Sequence, residues 1–550
     1  MDIKGKTVLI LGAGNVGEAC AVLLAKYKPR KIILHTLMQE EAERAKSNVE
    51  KLCNFNNILL ETSFGNVLTT QRLFNENITE IPCEIKNDLL EYLYFPLSDK
   101  IIQSSSLYNL LVKFKPDYII DSINTSTVVG YANDPYHLPL TFLDEKTSSC
   151  ELVENMLSSS LIPFLVRFIQ VLHKYLSENK DTAYVKVSTT GIGGMGMNIK
   201  YTHGDLNETG LSTGILGKVA AAGVIHQLLW SLAHTPGINV KIVVPASLIG
   251  WEGVGFGKFI SNGKFCLKNR TVRKINLNDN KKIINSYAAI ASDESSFMEI
   301  PYVDSGENDS YSLAEMTAIT AQGQMEAITR EEVALAVMDC LSCSTRYDLI
   351  TAMDMASLKS SFAGAIERNN ILEKLRTLQT ESNTQSIATN NLGPTVTKHL
   401  YELYFILESL SFDLKSINST SINDLQLQID QMVIERKAIV NQVLSLGLPV
   451  LQEGNILTVG DKIICPKNLM ETEINDEKID FWAKVGWVDL REKQIKYWLG
   501  MLKLMFEELS NPENMLLNVE RNIQTQFENK NLGEILAFLY SLSGGNRRKQ

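Results

Sequence analysis

Two groups of residues in this chain are of a type and spacing suited to chemistry. In Lys6-Thr-Val-Leu-Ile-Leu-Gly-Ala-Gly-Asn-Val-Gly17, the glycines Gly12, Gly14 and Gly17 stand at G-x-G-x-x-G spacing between an apolar run and a helical pattern. Gly12 allows a tight turn, Gly14 leaves room for a pyrophosphate against bare main chain, and Gly17 lets helix and strand pack closely. Asn15 and Val16 complete the turn, where a helix N-terminus offers free N–H groups to an anion. That is the chemistry of dinucleotide binding. The second group is the segment Met197-Asn-Ile-Lys-Tyr-Thr-His-Gly-Asp205, which carries Lys200, Tyr201, His203 and Asp205. It follows an apolar strand, so it lies at the carboxyl edge of a sheet, where folds of this kind bind ligands. Tyr201 either serves the chemistry or packs as an aromatic over the loop, and His203 is either a site residue or a surface one. The glycines at 191, 193, 194 and 196 either admit a ligand close to the backbone or form a mobile turn.

The elements that must position these groups alternate regularly. The first strand and helix return to a second strand, Lys31-Ile-Ile-Leu-His-Thr36, and a third is read over Asn57–Val67, ending in a Gly-Asn turn. A fourth, Lys115–Thr125, follows a helical stretch and emerges into a polar loop. Residues Glu151–Leu176 have helical spacing, Ala183–Thr190 is a fifth strand, Ser212–Ala233 a long helix and Asn239–Pro245 a sixth strand. This alternation predicts parallel β-α-β units, hence a Rossmann-type doubly wound sheet covered on both faces. Past residue 250 the pattern changes. Lys258–Phe265 reads as a hairpin through Asn262-Gly263, residues 312–380 are mostly helical, and Thr380–Pro394 reads from its Ser, Thr and Asn as a linker. Residues 396–540 are mainly helical, with a second hairpin over Leu451–Pro466. The expected domains are a dinucleotide-binding domain over 1–250, a substrate or cap region over 251–379 that partly returns to the core, and a mainly helical C-terminal domain over 395–550.

Bulk properties narrow the function classes. A chain of 550 residues exceeds one compact core. Its net charge of −10 and pI near 5.4 argue against a nucleic-acid groove, which needs an excess of Lys and Arg on one face. No apolar run reaches the roughly 18 residues that span a bilayer, and no signal-peptide pattern precedes the first strand. A cytoplasmic location without a membrane or nucleic-acid partner is expected. Of eight cysteines only Cys340 and Cys343 form a C-x-x-C, and no second pair or histidine cluster stands near them. A structural role is read for both, and no metal site is expected.

Several segments, taken in order, resemble the short-chain dehydrogenase/reductase superfamily, particularly its extended branch. The likeness covers roughly residues 6–250, and Leu24–Leu34 is similar to nucleotide-sugar dehydratases and epimerases of that branch. Ile328-Thr-Arg-Glu-Glu-Val-Ala334 is similar to the segment that in extended members returns late to the core domain. The resemblance implies that Gly65, Asn66 and Val67 face an adenine, and that Ser122, Ile123 and Asn124 line the cofactor. It further implies that Ser188 is the catalytic serine ending the fifth strand, that Lys218 is the lysine of the next helix, and that Pro245, Ser247 and Leu248 meet the nicotinamide. Trp251-Glu252-Gly253 then borders the substrate. A homodimer through long helices is expected by the same analogy.

This chain departs from the family at three points. Its glycine turn is one residue shorter than the G-x-x-G-x-x-G of most extended members. His35 and Thr36 occupy the place of the acidic residue that binds a ribose 2′-hydroxyl, so the cofactor is NAD or NADP without a stated preference. Gly214 stands four residues before Lys218, where the family has its proton-transferring tyrosine, and Tyr201 or His203 is the substitute. The expected function is therefore an atypical NAD(P)-dependent oxidoreductase acting on a carbonyl or hydroxyl of a small molecule. The alternatives are a dinucleotide-binding regulatory or scaffolding pseudoenzyme, or a nucleotide-sugar epimerase or dehydratase.

Overall fold

The computed structural model describes residues 3–53, 55, 57–73, 83–123, 161–188, 213–243, 248–249, 253–261, 264–279, 296–304, 310–321, 327–342, 362–463, 474–510 and 531–542. The chain divides into two compact units. The first comprises Met1–Gly194, Thr213–Gly250 and Ile328–Ser361, and the second Met195–Ser212, Trp251–Ala327 and Phe362–Gln550.

The first unit is built on six strands: β1 (Thr7–Leu11), β2 (Lys31–Thr36), β3 (Leu59–Phe64), β4 (Tyr118–Asp121), β5 (Ala183–Val187) and β6 (Asn239–Val243). They pair in the order β3-β2-β1-β4-β5-β6, and every pairing is parallel. This is the doubly wound Rossmann arrangement, and its strand order reverses between β1 and β4. The residue pattern explains why both faces are covered. In β1, Leu9 and Leu11 enter one apolar cluster while Val8 and Ile10 enter the other, and all four are fully buried. The cluster around Leu9 is closed by α3 (Cys83–Tyr94), α5 (Ser106–Phe114), α6 (Leu161–Glu178) and α7 (Thr213–Ala233), with the short α4 (Asp99–Ser104) beside them. The opposite cluster is closed by α1 (Asn15–Ala25), α2 (Gln39–Leu52) and α8 (Arg330–Ser342). Val333, Ala334 and Val337 of α8 pack in the same core as Ala21 and Leu24 of α1, although some 300 residues separate them. Each fully buried Leu, Ile or Val contributes on the order of 1.5–3 kcal/mol, so this late segment is a substantial part of the unit's core.

Among the described residues the second unit adds helices, two small sheets and a separate two-stranded hairpin. Gly253–Lys258, Glu299–Asp304 and Ser310–Tyr311 form one antiparallel sheet. Ile260–Ser261 and Lys264–Phe265 form the hairpin read from Asn262-Gly263. Val450–Gln452 turns back into Ile456–Val459, as read from sequence, and this pair is extended on either side by Arg273–Asn276 and Val488–Asp489.

The stretch read as a linker is a correction. Ser386, Ile387, Thr389 and Asn390 are buried, with Thr389 fully enclosed. The Ser312 hydroxyl donates to Ile387 O at 2.8 Å, Leu313 N donates to the Ser386 hydroxyl at 2.8 Å, and Thr389 N donates to Glu315 Oε2 at 3.0 Å. Polar composition marks exposed loops only when water is the partner, and here the hydroxyls and amides satisfy one another inside the unit.

Candidate functional site

The geometry of the first unit converges on the carboxyl ends of β1 and β4. Gly12 leaves β1 at φ +80, a conformation that favours glycine, and its N–H donates to His35 O at 2.8 Å. A Cβ on Gly12 would lie 2.7 Å from Ile123 N, so the turn sits flat against the segment after β4. The Ser122 hydroxyl fixes that contact by donating to Gly12 O at 2.7 Å. A Cβ on Gly17 would press on Gly12 O and on the Ser122 hydroxyl, and this is why α1 can begin so close to the strand.

Gly14 differs from the other two. It is exposed, its φ is −82, and a Cβ there would meet nothing within 4 Å. It is the N-cap of α1 and makes no side-chain cap bond, so the first N–H groups of the helix are left for solvent or a ligand. An open space over bare backbone at a positive helix end is what a diphosphate requires, and the residues present fit a dinucleotide. One neighbour comes from the late segment Ile328–Ala334 that the resemblance returned to the core. Arg330, at the start of α8, places Nη1 3.5 Å from Asn15 Oδ1, putting a cation beside the turn.

The residues expected near the adenine and ribose lie along β2 and β3. His35 is buried, with Nε2 2.9 Å from Gly65 O and Nδ1 3.2 Å from the Ser63 hydroxyl. Burial lowers its pKa to about 4, against the opposing bond to Gly65, so the ring is neutral at ordinary pH. Both ring nitrogens are thus engaged within the protein. The Thr36 hydroxyl donates to Met38 O at 2.7 Å. Gly65 has φ +125, Asn66 Oδ1 accepts from Leu68 N at 2.9 Å, and Asn66 and Val67 are buried.

Behind the crevice lies a buried polar cluster that the sequence reading did not contain. Lys186 Nζ donates to Asp121 Oδ1 at 2.8 Å and to Ile123 O at 2.6 Å, and the Tyr184 hydroxyl donates to Asp121 Oδ2 at 2.5 Å. Lys186 and Asp121 are each about 1 % exposed. Burial pulls the lysine pKa down against the attraction of Asp121, and burial together with the carboxylate pushes the tyrosine well up. Beside this group, Ser188 is buried at the end of β5 and its hydroxyl is 2.7 Å from His226 Nε2 on α7. Burial, reinforced by Lys186, lowers the His226 pKa to about 4. A strand-end lysine two residues before Ser188 was the one sequence signal for this cluster, because a charge in an otherwise apolar buried strand needs a partner.

Among the predicted site residues, the structure brings Gly12, Gly14, Asn15, Val16, Gly17, Ser122 and Ile123 together at the switch point. Ser188 closes β5, two strands from β1. Lys218 lies on α7, eight residues before His226, and Leu248 lies in the short strand Leu248–Ile249, with both side chains outside the described residues. Asn124, Tyr201, His203, Pro245 and Ser247 also fall outside them. Cys340 is buried in α8, and Cys343 lies outside the description. Among the described residues no group of three or more His, Cys, Asp or Glu is placed to hold a metal, and no helix is long and apolar enough to cross a membrane.

A doubly wound sheet with a glycine turn at its switch point is a Rossmann-type fold. A family model described as the beta-methylindole-3-pyruvate reductase C-terminal domain matches residues 267–544, about half of the chain, and the chain belongs to that family. Three solved structures illustrate the wider likeness. Pen from Bacillus thuringiensis is 12% identical, with 44% of this chain and 52% of that chain covered and a TM-score of 0.24. Levodione reductase is 16% identical, with 45% and 73% covered and a TM-score of 0.25. A Serratia marcescens short-chain dehydrogenase/reductase double mutant is 12% identical, with 62% and 91% covered and a TM-score of 0.28. The chain thus spans about half the length of the first of these. No curated protein matches it.

Proposed function

We propose that this chain is an NAD(P)-dependent reductase of short-chain type acting on the carbonyl of a small molecule. The family description points to an indole-bearing 2-oxo acid as the substrate class. The observation that carries the reading is the Gly14 space: open, cation-flanked, at an uncapped helix N-terminus and at the switch point of the sheet. A bound nicotinamide dinucleotide supplies a hydride. The chain's own part is to hold the diphosphate on the backbone from Gly12 to Gly17 and to polarise the substrate oxygen with the Ser188 hydroxyl. Lys218 holds cofactor ribose, and Tyr201 or His203 delivers the proton.

Titration of the full chain with NADH and NADPH, followed by the loss of nicotinamide absorbance with indole-3-pyruvate and its β-methyl derivative, tests this. Binding of one cofactor and consumption of a 2-oxo acid are expected. Binding without turnover on any carbonyl or alcohol would favour the regulatory or scaffolding reading, which Gly214 motivates. Absence of binding by either cofactor would refute both.

A further inference from the structure

We propose that Arg330 is a cofactor-binding residue whose guanidinium leaves its exposed carboxylate partner, Glu331, and pairs with the diphosphate of a dinucleotide lying over Gly14. This role rests on the cofactor part of the reductase reading and not on any turnover. Arg330 reaches the glycine turn from the first residue of α8, with Nη1 3.5 Å from Oδ1 of Asn15, itself the first residue of α1. The two helices pack along one another, Val333, Ala334 and Val337 sharing a core with Ala21 and Leu24, so both begin at this crevice. Two helix N-termini thus meet beside Gly14, and each brings the positive end of its dipole there.

A cation has the wrong sign for that place. Positive side chains are favoured in the last turn of a helix and disfavoured in the first, yet Arg330 opens one helix and touches the opening residue of another. Among the described residues its ion-pair partner is Glu331, whose Oε1 accepts from Arg330 Nε at 3.0 Å. The two are neighbours in sequence and the Glu331 side chain is 64% exposed, so water screens the pair and the guanidinium is loosely held. The other acids nearby are engaged elsewhere. Glu332 Oε2 accepts from Thr329 N at 2.7 Å and from the Thr329 hydroxyl at 3.1 Å, and Glu18, in the first turn of α1, accepts from Asn48 Nδ2 at 3.1 Å. An uncapped helix end, bare backbone at Gly14 and an arginine whose planar fork matches phosphate oxygens then form one set of donors for an anion.

Calorimetric titration of the full chain with NADH, NADPH and ADP-ribose, which carries the same diphosphate without the nicotinamide, tests this. Arg330→Gln is expected to weaken all three by about the same factor, on the order of tenfold or more. Added salt is expected to lower the NADH affinity of the wild type more steeply than that of Arg330→Gln. Glu331→Gln, a change at an exposed side chain that frees the guanidinium, is expected to raise NADH affinity about twofold to fourfold, and the gain is expected to vanish when Arg330→Gln is added. Wild-type affinity of Arg330→Gln for NADH and ADP-ribose, a loss confined to NADPH, or no gain in Glu331→Gln would each overturn the proposal. The last of these decides even if Arg330→Gln does not fold. In all three cases the wild type still binds dinucleotide and the reductase reading stands, whereas a wild type that binds none of the three ligands would refute the cofactor reading together with this role.

Discussion

Adding one methyl group at each of two glycines two residues apart is expected to have opposite consequences. At Gly12 the backbone is in the left-handed region, φ +80, where an alanine costs about 1–2 kcal/mol. Its Cβ would also lie 2.7 Å from Ile123 N and 2.9 Å from Ile123 Cα, an overlap with main chain that a further 1–3 kcal/mol or so would be needed to relieve. Gly12→Ala should therefore lower unfolding stability by about 3.5 kcal/mol, the middle of the sum of those two effects. At Gly14, φ −82 suits any residue and the new Cβ meets nothing within 4 Å. Only its mild preference as an N-cap is lost, on the order of 0.5–1 kcal/mol. The same methyl nevertheless occupies the space assigned to the diphosphate, so Gly14→Ala should weaken NADH or NADPH binding by at least about tenfold, equivalent to about 1.4 kcal/mol. Urea unfolding followed by tryptophan fluorescence gives the stabilities, and calorimetric titration of the folded variants gives the affinities. A Gly14→Ala chain that is as stable as wild type and binds the cofactor equally well would refute the placement of the diphosphate over this turn.

Three further outcomes follow from buried groups. His35 has an ordinary pKa of 6.5 in the unfolded chain and about 4 in the fold, so the unfolded state binds more protons in between and stability falls as pH drops from about 6.5 toward 4. At about 1.36 kcal/mol for each pKa unit the gap is worth about 3 kcal/mol, and His35→Gln should flatten that part of the stability profile measured by urea unfolding at successive pH values. Lys186→Met leaves the Asp121 carboxylate buried without its cation and Ile123 O without its donor, and should cost about 3–5 kcal/mol in urea unfolding. In the second unit, a Cβ on Gly533 would run into Ala314 O, Thr317 Oγ1 and Ala318 N of the helix Leu313–Ile319. Gly533→Ala should lower the thermal midpoint through a loss of about 3 kcal/mol, whereas Gly500→Ala, which meets nothing, should leave it unchanged or slightly raised.

Most of the sheet was legible because its signals are local. Five-residue apolar runs separated by helical periodicity predict parallel strands, and Gly12, Gly14 and Gly17 mark one turn within a single β-α unit. The Asn262-Gly263 hairpin is legible for the same reason. The buried cluster of Asp121, Tyr184, Lys186, Ser188 and His226 was not legible as a cluster. Its members come from two strands and a helix, and no spacing along the chain encodes their proximity. Likewise the residues from 383 to 393 look like a solvated connection by composition, yet Glu315 and Ser312 supply what water would have supplied.

The linear order of residues by itself determined a doubly wound sheet and an open glycine turn at its first crossover, since backbone conformation and the alternation of faces depend on near neighbours. Which buried polar groups meet was decided only by tertiary structure. His35 is neutral because the fold removes it from water, and Ser188 meets His226 because the fold brings the end of β5 to α7, which packs on the neighbouring β6. Charge and proton placement are set by desolvation and by partners distant in sequence, and these exist only once the chain is folded.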